Sequence, residues 1–424
     1  MVIGTLYLSQ GSAVQFAGFN FQPTRILGYL CLIRVLVRGE LSFARLHRID
    51  RILLVLYIYT TLILLIRPDE NRALRLAKLM DVLSVYLSFR ALIRSPDEWR
   101  WFLKIFALLL VPYVMILAVE SSTRRNLFGW VGALDKIWMR GTKIRCLGSF
   151  RHPSLLGSVG ACFFPMFVAL ARERSNRMRG ILGAVLCVMI VGFSNSGGPL
   201  SVFMVSVAGW AMWPMRTKMQ LFRRGLVAFL AVLAMVMKAP IWYLLARLSA
   251  VTGGTGWHRS YLIDVAIRNI DRWWLVGLPL SETSTWFPYV IAATGGADIT
   301  NQFIAFGLQG GLLAIILFFI LLYFAFSDLG RALAKVRNSY RLAGEEGLLW
   351  ALGVALAAHI SNWLGITYFD QFNVLWLLHL AALVSICEYF MRAPAPQYSF
   401  IEEDFELQAG PTLNNRSSRP AGTN

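Results

Sequence analysis

Apolar runs of bilayer-spanning length recur along almost the whole of this chain, and that recurrence settles its fold class before any motif is read. A backbone crossing lipid must satisfy its own N–H and C=O groups, which leaves α-helices or a closed barrel. The runs here are too long and too continuous for alternating barrel strands of about ten residues. The 424 residues are 57% hydrophobic and 15% charged, and the mean hydropathy of +0.57 is far above that of a soluble domain. The expected class is an all-α polytopic membrane protein. Candidate spans are 2–20, 24–38, 52–66, 78–94, 101–119, 153–171, 180–195, 199–215, 224–247, 301–326, 346–366 and 371–391. Several fall short of the ~20 residues of a full crossing, so about ten to twelve transmembrane helices are expected.

Charge orients these runs. The formal net charge is +18, which in a soluble protein would suggest nucleic acid. Here the basic residues sit in short turns between apolar runs, as the positive-inside rule predicts, and no nucleic-acid partner is expected. One cluster is Arg172, Arg174, Arg177 and Arg179; a second is Arg216, Lys218, Arg223 and Arg224; a third is Arg331, Lys335, Arg337 and Arg341. Even numbers of spans separate them, so all three can face the cytoplasm. Segments 120–152 and 248–300 then face the periplasm, with both termini inside. Segment 67–78, with Arg67, Arg72, Arg75 and Lys78, lands outside against the rule. Either a span is miscounted there, the reading preferred, or those charges serve an outward anionic ligand.

The first charge is Arg25, so the start reads as a first membrane helix and not as a cleaved signal peptide. Of the five cysteines, only Cys146 lies in a candidate loop, and neither metal-ligand spacing nor a disulfide framework follows. No metal or cofactor is expected. Residues 1–391 form the expected transmembrane domain, including the outward loop 248–300. Residues 392–424, with Pro394, Pro396, Pro411 and Pro420 and an acidic patch around Glu402 and Asp404, read as a disordered cytoplasmic tail.

The polar interruptions are where chemistry would reside. Arg145, Arg151 and His152 come just ahead of a span opening at Pro153. Proline suits a first helical turn, and helix N-termini favour anions; the plainer reading is arginines that snorkel to headgroups. Segment 194–201 is either a tight outward turn or a break whose amides line a polar cavity. Segment 253–311 is the one long excursion with both charge and turn residues, and such loops carry recognition or chemistry. In it, His258 and Arg259 fall on the first turn of an expected amphipathic surface helix marked by Leu262, Val265, Ala266 and Asn269. Trp257, Tyr261, Trp273, Trp274 and Trp286 supply faces on which sugars could stack. At its far end lie Asp298, Thr300 and Asn301; Asp298 or Thr300 could simply cap the following helix.

The order of these stretches resembles the bacterial O-antigen ligase and polysaccharide polymerase superfamily, over roughly residues 140–325. An Arg-x-x-Gly-x-Phe-x-x-Pro-x-x-x-Gly stretch before a span is matched by Arg145, Gly148, Phe150, Pro153 and Gly157. A Ser-Arg-Gly turn is matched loosely at Ser196 and Gly197, without its arginine. An arginine opening the large loop's helix is matched by Arg259, and a downstream glycine by Gly277. A His-Asn stretch ending in glycine is matched by Asn301 and Gly310, with Thr300 in place of the histidine. The resemblance implies a fold like other lipid-linked sugar transferases and an inverting, metal-independent reaction at the outer face of the bacterial inner membrane. Its substrates would be a polyprenyl-diphosphate-linked oligosaccharide and a glycan acceptor, and other polysaccharide-assembly membrane proteins would be partners.

The residue types fit that chemistry on their own terms. A diphosphate leaving group gains negative charge as it departs, and arginine forks onto phosphate oxygens while staying charged. Arg145, Arg151 and Arg259 fall on one expected face, with His152 and Asn301 beside them as further diphosphate contacts. His152, His258 and Asp298 are all open as the base. The leading reading is a polymerase, because the family histidine is replaced. A ligase with a lipid or protein acceptor and a lipid-linked oligosaccharide flippase are the alternatives; matched charged halves, which a flippase needs, are missing.

Overall fold

The computed structural model describes residues 1–16, 19–41, 46–67, 71–134, 138–247, 256–287 and 295–392. The expected tail beyond these, and parts of the expected outward loop, lie outside the described residues. The helices are α1 (Val2–Tyr7), α2 (Pro23–Val37), α3 (Arg48–Ile66), α4 (Arg72–Leu92), α5 (Pro96–Thr123), α6 (Pro153–Arg172), α7 (Arg177–Ser194), α8 (Gly197–Ala211) and α9 (Met219–Val236). They continue with α10 (Gly256–Arg268), α11 (Ile270–Trp273), α12 (Gln302–Arg337), α13 (Glu346–Trp363) and α14 (Asp370–Arg392). Two small antiparallel hairpins complete the list: β1 (Val14–Phe16) with β2 (Phe19–Phe21), and β3 (Trp138–Arg140) with β4 (Lys143–Arg145).

Among the described residues, seven helices are long and apolar enough to cross a membrane: α3, α5, α6, α7, α9, α12 and α14, with α7 and α9 counted together with the short turns that lead into them. The chain is therefore an all-α polytopic protein. Local chemistry sets the helix starts. Ser95 and Glu98 make a reciprocal capping box ahead of α5, and His47 with Asp50 does the same for α3. Around these starts α6 and α14 form the enclosed centre of the bundle. Close helix crossings depend on small residues there: a Cβ at Gly157 would lie 2.4 Å from the Ser194 hydroxyl, and one at Gly160 2.3 Å from the Cys187 carbonyl.

Three expected spans take other forms. Residues 2–20 are not one helix: α1 ends at Tyr7, and the β1–β2 hairpin follows. Ser9, Gln10, Gly11 and Ser12 stop the helix, and the Ser9 hydroxyl donates to the Gly132 carbonyl at 3.2 Å. The expected span 224–247 gives way at Met237, which is extended (ψ 130°) ahead of Pro240. The span expected at 301–326 is longer, and its helix is interrupted at Gly310 and Gly311, where φ is +69° at Gly311.

The basic turns gather at one end of the bundle. Arg100 donates to Glu173 at 2.8 Å and to Glu345 at 2.5 Å, and Arg216 and Arg337 both reach Glu346. At the opposite end Arg67 donates to the carbonyls of Val276 and Leu308, and Thr367 donates to the Ile299 carbonyl at 2.6 Å. Arg67, just past the end of α3, thus lies at the end opposite the three basic turns.

Near that second end, α10 and α11 fold onto the first half of α12. Leu262, Val265 and Ala266 pack with Trp273, Trp286, Phe287, Ile304 and Leu308. The helix expected to lie on the membrane surface therefore buries its apolar stripe in protein. Trp273 and Trp286 are part of that core and are not stacking faces; Trp257 and Trp274 are exposed. Deciding against lipid is the aromatic layer, which offers the stripe a closer-packed partner than acyl chains do.

A candidate anion-binding site

The stretch from Arg145 to Gly157 is built as a rigid turn. The Glu120 carboxylate accepts from the amides of Leu147 at 2.8 Å and Gly148 at 3.0 Å. Gly148 has φ +55°, and a Cβ there would sit 2.4 Å from the Tyr113 hydroxyl, so only glycine fits. Phe150 is buried, and Gln371 donates to the Ser149 carbonyl at 2.8 Å. His152 caps α6: its Nδ1 accepts from the Ser154 amide at 3.1 Å, with Pro153 in the first turn. The glycines and aromatic of this stretch are mechanical; they aim Arg145, Arg151 and His152.

Arg145, His152 and Arg259 come together. The Arg145 guanidinium donates from Nη2 to the Ser196 hydroxyl at 2.8 Å and lies 5.9 Å from the Trp138 ring centre. Arg259, on the first turn of α10, lies against two glycines. A Cβ at Gly198 would be 2.8 Å from its Nη2, and one at Gly365 2.7 Å from its Cζ. The Nε groups of both arginines are buried without a partner. Among the described residues no hydrogen bond or ion pair reaches Arg259 at all. Burial, and then the charge of Arg140 across the hairpin, pull both arginines below the usual arginine pKa; arginine stays cationic nonetheless. No side chain caps the first turn of α8, which starts beside them. Buried donors without acceptors are costly, and an anion is what satisfies them.

His152 is pushed down to about 4 by burial first, then by Arg145 and Arg259. It is neutral near pH 7. Since Nδ1 accepts from Ser154, the ring proton belongs on Nε2. His152 is thus a helix cap and a donor, and a poor base.

The other expected residues are placed differently. Arg151 leaves the cluster, with its Nε 3.2 Å from the Asp370 carboxylate; the three arginines expected to share one ligand divide into two and one. His258 reaches the backbone carbonyl of Asp298 from Nε2 at 3.2 Å and stacks on Phe287 at 4.5 Å. The Asp298 side chain is exposed. Asn301 caps α12, its Oδ1 accepting from Phe303 at 3.0 Å and Ile304 at 3.2 Å; neither Asp298 nor Thr300 does so. Gly277 (φ +78°) turns the chain so that Leu278 donates to the Leu308 carbonyl at 3.0 Å, while Leu312 donates to Trp274 at 2.7 Å. That turn fills the break in α12. Segment 194–201 is a tight turn between two helices, with α7 ending at Ser194, Asn195 left-handed (φ +41°) and α8 beginning at Gly197, and Ser196 and Gly198 in it touch the two arginines. Sequence reading missed Arg140, Trp138 and Gly365. Among the described residues no three His, Cys, Asp or Glu side chains group as metal ligands.

No protein-family profile and no curated protein matches this chain.

Proposed function

We propose that this chain is a membrane glycosyltransferase of the polysaccharide polymerase type, moving a glycan from a polyprenyl diphosphate to an acceptor sugar hydroxyl. The observation that carries the reading is the pair Arg145 and Arg259, each with a buried guanidinium donor lacking an acceptor, beside neutral His152. The acceptor oxygen bonds to the anomeric carbon while the bond from that carbon to the diphosphate oxygen breaks. The electron pair leaves with the lipid diphosphate, and the hydroxyl proton goes to a base. Arg145, Arg259 and the Nε2–H of His152 face the departing charge; each such preorganised donor is worth ~10²–10³-fold in rate. For the base, the exposed Asp298 carboxylate and His258 are the remaining candidates. The order of motifs shared with the ligase and polymerase superfamily agrees, and Thr300 in place of that family's histidine favours the polymerase.

In this reading the end of the bundle that gathers the basic turns is cytoplasmic, and the arginine site faces the periplasm. The test is chain extension by the purified protein from a lipid-linked repeat unit with a chelator present. Growth of longer glycans, lost in Arg259→Lys, supports the reading; single units unchanged by the wild-type chain reject it.

A further inference from the structure

The turn after α11 carries three consecutive exposed apolar residues: Trp274 at 51%, Leu275 at 61% and Val276 at 49%. The chain changes character on either side of it. Asp271 and Arg272 before it are exposed and charged, whereas Trp273 and Leu278 belong to the core. A run of exposed apolar residues is out of place in a turn that faces water. The turn is also held firmly. The Trp274 carbonyl accepts from the Leu312 amide at 2.7 Å, and the Leu278 amide donates to the Leu308 carbonyl at 3.0 Å. Arg67 donates to the carbonyls of Val276 and Leu308.

Those bonds fix the depth of the turn along α12. Leu308 stands 20 residues before Asp328 on that helix. Asp328 holds His47 at 3.4 Å together with Arg48 and Arg331, so it marks the charged level at the end of the bundle with the basic turns. A helical stretch of that length rises about 30 Å, the thickness of the hydrocarbon layer. The Trp274–Val276 turn is therefore level with the opposite edge of that layer, the depth at which tryptophan is favoured. Backbone groups at that depth need partners within the protein, and the Trp274 and Val276 carbonyls have them.

We propose that Trp274, Leu275 and Val276 form a wedge seated in membrane lipid, at the boundary between headgroups and acyl chains of the leaflet at this end of the bundle. Lipid, and not a second protein, is the occupant for two reasons. The turn lies at bilayer depth, and three side chains ahead of the sharp turn at Gly277 (φ +78°) cannot supply the ~800 Å² per partner of a stable protein interface. The apolar stripe of α10 faces protein, but the chain that follows it reaches lipid. The two are tied together, since the Trp273 indole donates to the Ala266 carbonyl at 2.8 Å. The wedge thus sets the height of α10, and of Arg259 on its first turn, against the leaflet. This inference does not rest on the transferase reading.

The experiment is spin-label EPR on the full chain in phosphatidylcholine nanodiscs, with collisional relaxation by oxygen and by a water-soluble nickel chelate. Of the five cysteines only Cys31 is not buried, so Cys31→Ser provides the background for single labels. A label introduced through Leu275→Cys should be open to oxygen, shielded from the chelate and about 5–10 Å inside the phosphate level. A label introduced through Asp271→Cys should be open to the chelate. If the Leu275→Cys chain does not fold, Val276→Cys gives the same readout. Labels at 271 and 275 equally open to the chelate would put the turn in water. A label at 275 shut off from both reagents would put a protein surface there. Either result would overturn the proposal.

Discussion

Replacing Gly365 by alanine tests whether the placement of Arg259 matters, without touching Arg259 itself. The new methyl would start 2.7 Å from the Arg259 Cζ. An ordinary carbon contact needs about 3.5 Å, so the guanidinium must move by roughly 0.8 Å. The obstructing atoms are the far end of a flexible side chain, so folding should change little. A catalytic group displaced by about 1 Å costs up to ~10²-fold in rate, equivalent to about 2.7 kcal/mol of barrier. Gly353→Ala is the matched control on α13, because the nearest atom to its Cβ would be 3.9 Å away. The assay is initial rate of glycan extension in detergent, normalised to monodisperse protein. Gly365→Ala should fall at least tenfold while Gly353→Ala stays at wild type. Equal rates for the two, with equal amounts of folded protein, would refute the claim that Arg259 acts from its observed position.

Other outcomes follow from the same geometry. Burial and two arginines hold His152 at about 4 against an ordinary 6.5, so the unfolded chain binds the extra proton between those values and stability rises with pH across them. Thermal melts in detergent should show up to roughly 3 kcal/mol of loss on acidification from pH 6.5 to pH 4, and His152→Asn, which keeps a capping oxygen, should flatten that dependence. Asn301→Ala should lower stability by about 1 kcal/mol through loss of the α12 cap, with Asn301→Asp restoring it and the rate per folded molecule unchanged; a selective loss of rate would assign Asn301 to substrate instead. Arg145→Lys should cut the rate by ~10²-fold or more through loss of the fork, whereas Arg151→Lys, outside the cluster, should cost less than about tenfold; equal losses would return Arg151 to the same site.

Much of the bundle was legible because lipid imposes a simple rule. Runs such as 52–66 and 101–119 must be helical, and α3 and α5 contain them. Pro153 marked the start of α6 for the same local reason. Tertiary choices were not legible. The β1–β2 and β3–β4 hairpins are three-residue strands, too short for any alternation to announce them. The apolar stripe of α10 suits lipid and protein equally until Trp273 and Phe287 are seen against it. At the candidate site, Arg145 and Arg259 stood out as arginines beside helix starts, yet only packing separates Arg151 from them. Asn301 carried a motif position, and its side-chain oxygen also takes the α12 cap that the sequence offered to Asp298 or Thr300. Gly365, two residues past the end of α13 at Trp363, had no local feature to mark it as a neighbour of Arg259.

Whether the arginine site acts on a glycan that has already crossed the membrane is the central claim, and one measurement addresses it directly. In an Arg259→Ala strain, the account expects single repeat units to accumulate on the lipid carrier at the outer face. In spheroplasts those units should be trimmed by an added glycosidase or bound by an added lectin, as they are when a known polymerase is removed. Units that accumulate but stay protected, facing the cytoplasm, would contradict a transferase and make the chain a transporter of the same substrate.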